Sequence, residues 1–415
     1  MPSSFYSLIH IYNQTHEYFF GESLMPISYP SLHPQIQKYG QNAALWHLNQ
    51  QEKLKSALGL IQAIAVDPGS LIDRMVQIIT SQGKNLRFAT MGRETINSYI
   101  KLSTETPPPY ILMAADGSQI NPDPHAAIFY ALINIGIFRL EQGILQVPQE
   151  ITQTTLLDFD EIHDPEKYFD ENILALKRDL NERQLLADLA AQSSRLVVTL
   201  TDGPLELFHQ PKEDKNFLQQ FESYLESLRL LGKTGAITAG YVDKPRADLV
   251  IRMLEFSLLP DITHAGLERP LSGLTDSMIF SHLLEPNTRS AIFGMHSSNS
   301  KYYRDEIALH FFYLNVGRIG HPWIARVEIP AWVASSPDKI ALLHLVLIEQ
   351  CRMMGNSPYP YALHRAHEIA MVSQLEKQQM EERLLKEMQH LGLPLDLQSN
   401  KLSAKLLPPR MRYKK

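Results

Sequence analysis

Tyr110-Ile111-Leu112-Met113-Ala114-Ala115-Asp116-Gly117-Ser118 is an apolar run that meets an acid, a glycine and a serine. Arg195 to Thr201 repeats the pattern, with Leu196, Val197, Val198 and Leu200 nearly continuous before Asp202-Gly203-Pro204. Short apolar runs of this kind, without strict alternation, read as strands buried on both faces. Between them, Ala126 to Leu140 and Gly143 to Val147 are rich in Ile, Phe, Tyr and Val and read as two further strands. Leu156 to Glu182 then holds nine acids against Lys167, Lys177 and Arg178, and merges into a helical pattern running to about Ala191. The order is strand, strand, strand, helix, strand.

Downstream, Phe217 to Leu231 reads as a helix, Ala236 to Val242 as a strand, Arg246 to Leu258 as a helix, and Leu309 to Leu314 and Trp323 to Ile329 as strands. Ile340 to Met354 and Ala362 to Leu375 read as helices around a Gly355 to Pro360 turn, the last continuing in charged, amphipathic form to about Leu391. Such alternation makes an α/β protein with a mixed central sheet flanked by helices. Upstream, Ile36 to Val66 and Leu71 to Ile79 carry helical spacing around the Asp67-Pro68-Gly69 break, and Pro107-Pro108-Pro109 cannot continue a helix. The expected organisation is a helical region over 1–106, the sheet domain over 107–375, and an amphipathic helix with a basic tail over 376–415. Lys401 to Lys415 contains six basic residues and no acid, a composition suited to touching a polyanion.

With 415 residues, 44% apolar and 20% charged, the chain is neither a disordered tail nor a small stapled scaffold. Its single cysteine, Cys351, excludes an intrachain disulfide framework and any multi-cysteine zinc module. The longest apolar stretch, about Ala126 to Phe138, contains Asn134 and falls far short of the ~20 residues needed to span a bilayer. Met1 to Tyr12 lacks the basic start of a secretory signal, so a cytoplasmic location without membrane contact is expected. A formal net charge of −6 argues against coating nucleic acid by bulk charge, although a local basic groove is compatible with it. There is no phosphate loop or dinucleotide fingerprint, so the chain itself is not expected to hydrolyse ATP.

One Asp-Gly pair is ordinary turn chemistry. Two such pairs at the ends of neighbouring parallel strands would bring Asp116 and Asp202 together at one end of a sheet, where α/β proteins place ligands. Like charges so close call for a cation, and hard divalent ions take carboxylate oxygens and bridge phosphates. Gly117 and Gly203 would leave space for a substrate backbone. A third acid would come from the helix before the second strand, with Glu182, Asp179 and Asp188 as candidates. In Tyr359-Pro360-Tyr361-Ala362-Leu363-His364-Arg365-Ala366-His367, the two histidines share a helix face, but with no Glu between them and no cysteine partner they fit a zinc-protease site poorly. A single metal-contacting or proton-transferring histidine fits better.

Asp-Gly-Ser after a first strand, Asp-Gly-Pro-Leu after a later one, and Tyr-Pro-x-x-Leu-x-x-Ala-His on a late helix resemble, in order and spacing, the NurA family of nucleases. The resemblance covers roughly Tyr110 to Ala370. It implies an RNase H-like fold and Mn²⁺-dependent DNA cleavage, as 5′ to 3′ exonuclease and single-strand endonuclease, with Mg²⁺ as the other candidate ion and a two-metal site. It also implies a homodimer acting with a hexameric HerA-type ATPase in end resection and double-strand break repair. By motif position Asp116 and Asp202 match metal ligands, Glu182 best fits the helix glutamate, His367 matches a catalytic, metal-contacting histidine, and Tyr359 matches a DNA-orienting tyrosine.

Lys244, Arg326 and Arg365 are candidate phosphate contacts. Two rivals remain at this stage: a DNA-binding or scaffold protein of the same fold without turnover, and a phosphoester hydrolase acting on small substrates.

Overall fold

The computed structural model describes residues 29–81, 86–103, 106–123, 126, 128–143, 146–158, 160, 171–207 and 215–392. The chain divides into two compact units, Met1–Lys53 and Leu54–Lys415. The first contributes the early part of a helix, Tyr29–Val66, whose described residues there are mostly exposed. The basic tail falls outside the described residues, as does the middle of the acidic stretch.

The second unit is built on one mixed sheet. Its strands are β1 (Phe88–Thr90), β2 (Ile100–Lys101), β3 (Tyr110–Ile120), β4 (Leu132–Gln142), β5 (Gln149–Leu156), β6 (Val197–Asp202), β7 (Ile237–Val242), β8 (Thr288–Arg289), β9 (Phe293–His296), β10 (Leu309–Asn315) and β11 (Ile324–Pro330). They lie in the order β1-β9-β10-β11-β7-β6-β3-β4-β5, with β2 and β8 paired at the side of β10. β3, β4 and β5 form an antiparallel meander, helix Glu171–Ala191 follows, and β6 returns parallel to β3 with β7 parallel to β6. This is the RNase H-like arrangement expected from the sequence.

Alternation along β3 sorts its side chains between two cores. Ile111, Met113 and Ala115 pack with Leu174, Leu176 and Leu186 of helix Glu171–Ala191. Leu112 and Ala114 pack instead with Val198, Leu200, Leu343, Leu363 and Ala366, beneath helices Pro337–Met353 and Tyr361–Ala370. Asp116 and Asp202 continue the second series, and Gly117 continues the first.

Four differences from the sequence expectation stand out. β1 and β2 belong to the sheet, so helix does not extend through 1–106: it ends at Ser81, and the later strands are too short to show a period. The third strand of the meander is the polar segment Gln149–Leu156, because an edge strand with exposed side chains carries no apolar signal; part of the expected Gly143 to Val147 strand lies outside the described residues. β3 does not stop at Asp116-Gly117: it runs on to Ile120, with Asp116 opposite Gly136 on β4. Of the two motif glycines, Gly203 alone has a positive φ, at 81°. The late helix also breaks after Ala370, and Ser373 opens Gln374–His390 with a reciprocal capping box to Glu376.

Candidate active site

Ala115 pairs with Thr201 in the parallel ladder, so Asp116 and Asp202 occupy the next positions on neighbouring strands and the same face of the sheet. Glu182 approaches from the helix on the other face. A Cβ on Gly117 would lie 2.7 Å from Glu182 Oε1 and 2.7 Å from Arg178 Cγ, so this glycine is the gap into which the helix acid fits. Its role is to admit Glu182, not a substrate backbone. Glu182 is 7% exposed, whereas Asp188 faces solvent and Asp179 pairs with Arg178 at 2.8 Å.

The electrostatics join these acids. Burial pushes the Glu182 carboxyl well above the usual range, and the charges of Asp179 and Asp116 push it the same way against Arg183 and Arg178. Arg178 Nε lies 3.7 Å from Glu182 Oε1. Withdrawal from water likewise raises Asp202, opposed by a hydrogen bond donated by the Tyr359 hydroxyl and reinforced by Asp116 and Asp243. Tyr359 is held edge-on to Tyr241, with centroids 5.6 Å apart, and burial followed by the charge of Asp202 raises its phenol far above normal.

His367 Nδ1 lies 2.7 Å from Asp116 Oδ2, and Asp116 Oδ1 accepts from the Gly117 amide at 2.8 Å. The helix carrying His367 is fixed at both ends. Its Ala362 amide donates to Gln350 Oε1 at 2.8 Å, and the carbonyl of Ala370 accepts from Ser118 Oγ at 2.5 Å and Asn134 Nδ2 at 2.9 Å. Ser118 of the Asp-Gly-Ser motif therefore satisfies an orphan carbonyl at the C-terminus of this helix. His364 turns away toward Glu368, at 3.6 Å.

The candidate phosphate contacts separate. Lys244 is exposed, at φ 43°, with Nζ 3.7 Å from the centre of the Trp323 ring. Arg365 pairs with Glu150 at 2.5 Å and with Glu368. Arg326 is 3% exposed and pairs with Glu328 at 2.8 Å, so burial keeps it from any phosphate. It serves the site indirectly, because Glu328 Oε2 accepts the Leu205 amide at 2.9 Å and so holds the turn that follows Asp202.

Two neighbours of the cluster escaped the sequence reading. Asp243 comes directly after β7 much as Asp202 ends β6, an acid closing an apolar strand, and that repetition was open to view. It accepts the Trp323 indole N–H at 2.6 Å. Arg178 had no signal of its own: it is a helix residue one turn before Glu182.

Among the described residues, no three His, Cys, Asp or Glu side chains are set together as the ligands of one ion. Asp116, Asp202 and Glu182 instead each meet a protein partner: His367, Tyr359 and Arg178. The donor chemistry nevertheless suits a hard divalent cation, since the donors are carboxylate oxygens, and burial, with neighbouring acids adding to it, raises Glu182 and Asp202. No helix among the described residues is long and apolar enough to cross a membrane.

The family model of the NurA domain matches residues 110–372, which contain Asp116, Glu182, Asp202, Tyr359 and His367. Comparison with curated proteins gives no match. Among solved structures, the NurA nuclease from Sulfolobus solfataricus is similar at 11% identity and a TM-score of 0.47, over 80% of this chain and 97% of that one. A second structure of NurA has 10% identity and a TM-score of 0.38, over 78% and 97%. Endonuclease V from Ciona intestinalis, solved with an inosine-containing DNA, has 12% identity and a TM-score of 0.30, over 66% and 86%. Because the matched domain spans more than half of the sequence and contains the whole carboxylate cluster, the chain belongs to the NurA family.

Proposed function

We propose that this chain is a metal-dependent DNA nuclease, cutting as a 5′ to 3′ exonuclease and single-strand endonuclease in end resection beside a HerA-type ATPase. The observation that carries the reading is the register: Asp116 and Asp202 are adjacent on parallel strands, and Glu182 enters through the gap at Gly117. Asp116, Asp202 and Glu182 would hold Mn²⁺ or Mg²⁺, which supplies charge stabilisation at the phosphoryl oxygens and a water acidic enough to attack.

The protein groups prepare that site. His367 orients Asp116 through its Nδ1, and Tyr359 fixes the carboxylate of Asp202 while presenting its ring beside the strand end. Arg178 offsets the charge of Asp179 and Glu182, so the buried acid is not left alone. Lys244 extends the polyanion-facing surface beyond the carboxylates.

The test is digestion of an end-labelled oligonucleotide with Mn²⁺ by the unmutated chain and by Asp116→Asn and Asp202→Asn. Metal-dependent cutting lost in both folded variants is the expected result. Undiminished cutting by either would remove the assignment. DNA binding without turnover in the unmutated chain would favour the scaffold reading, and phosphate release from monoesters with indifference to DNA would favour the small-substrate hydrolase.

A further inference from the structure

Trp323 forms part of the wall of a cavity of about 800 Å³, lined also by Asn287, Arg318, His321, Arg352 and Asn356. No Asp or Glu is among its described lining residues, in a chain whose formal net charge is −6. Arg318 and Arg352 are exposed, and neither has an ion pair among the described residues. The wall connects directly to the carboxylate cluster. Trp323 donates its indole N–H to Asp243 at 2.6 Å, Asp243 acts on both Asp202 and Tyr359, and the lining residue Pro358 precedes Tyr359 in the chain. Lys244 stands over the same indole in a left-handed backbone conformation, a strain of about 1 kcal/mol for a residue with a Cβ. Strain of this kind is found at ligand-holding segments.

A cavity of this volume is in the range of small-ligand sites, so it admits a few linked nucleotides of one strand and not a duplex. Cationic side chains beside an aromatic wall are the means by which single strands are held, phosphates on the former and bases against the latter. We infer that this cavity takes the single-stranded segment adjoining the scissile phosphate, with Arg318 and Arg352 as its phosphate contacts. The inference rests on the nuclease reading for the position of the scissile bond, but the binding it asserts is measurable without cleavage.

The experiment uses the full chain and a labelled single-stranded oligothymidine in EDTA, titrated over a salt series, with Arg318→Ala/Arg352→Ala and Arg318→Lys/Arg352→Lys beside the unmutated protein. Both arginines are exposed, and equal melting temperatures confirm that the variants fold. Two lost contacts at about 0.7 each should reduce the slope of log affinity against log salt by about 1.4, and the lysine pair should restore it. An unchanged slope, a loss confined to blunt duplex, or no single-strand binding by the unmutated chain would each overturn the inference. Failure of the nuclease reading shows separately, as absence of cutting with Mn²⁺ while the slopes still differ.

Discussion

Gly136 stands opposite Asp116 on β4, beneath the helix that carries His367. A Cβ built there would lie 2.5 Å from the amide nitrogen of Ala370, 2.7 Å from the carbonyl oxygen of Ala366 and 2.9 Å from the carbonyl carbon of Ile369. All three are backbone atoms of one helix or its last turn, so no side chain can rotate aside. Ordinary contact is about 3.5 Å or more, so Gly136→Ala must lift this end of the helix by about 1 Å. Overpacking of this kind costs about 1–3 kcal/mol. The same shift strains the hydrogen bonds from Ser118 and Asn134 to Ala370, each worth about 1 kcal/mol. It also carries His367 Nδ1 from 2.7 Å to beyond hydrogen-bond reach of Asp116. A displacement of about 1 Å at a positioning group can lower turnover by roughly 100-fold. Urea unfolding and Mn²⁺-dependent digestion of a labelled oligonucleotide measure the two effects. The expected result is a loss of about 2–4 kcal/mol together with a drop in cutting of at least tenfold. Unchanged stability with unchanged cutting would refute the claim that this glycine seats the helix and its histidine.

Glu328→Ala leaves Arg326 charged and unpaired in the core, and should destabilise the fold by about 3–5 kcal/mol in denaturant unfolding, with Glu328→Gln milder because it keeps an acceptor. His344 is 2% exposed, and burial, with Arg289 nearby, lowers its pKa from 6.5 to about 4. The unfolded chain therefore binds more protons between those values, and stability should fall as pH drops from about 6.5 to 4, by about 3 kcal/mol from this group. A stable His344→Gln variant that showed the same pH slope in this window would contradict that account. Gly59 lies within helix Tyr29–Val66 with open space where a Cβ would go, so Gly59→Ala should raise stability by about 0.5–1 kcal/mol. A lowered melting temperature would show that the helix is constrained there in some other way.

Continuous apolar runs and helical periodicity are local signals, so the buried strands, the helices between them, and the two acids at matching places were legible before any folding. Asp116 and Asp202 were legible since each follows such a run. The polar strand Gln149–Leu156 was not, because its pairing with β4 is a backbone interaction that leaves no trace in its side chains. The meaning of the two Asp-Gly pairs also waited for tertiary structure: Gly203 has a positive φ, whereas Gly117 is extended and empty so that Glu182 can sit against it. Arg326 looked like a surface cation on a strand, and only burial beside Glu328 turned it into a support for the turn after Asp202. Glu182, among the three candidate acids Asp179, Glu182 and Asp188, was singled out by which face meets Gly117. Local sequence sets propensity and spacing, but which charge is buried, and against what, is fixed by contacts between segments far apart in the chain.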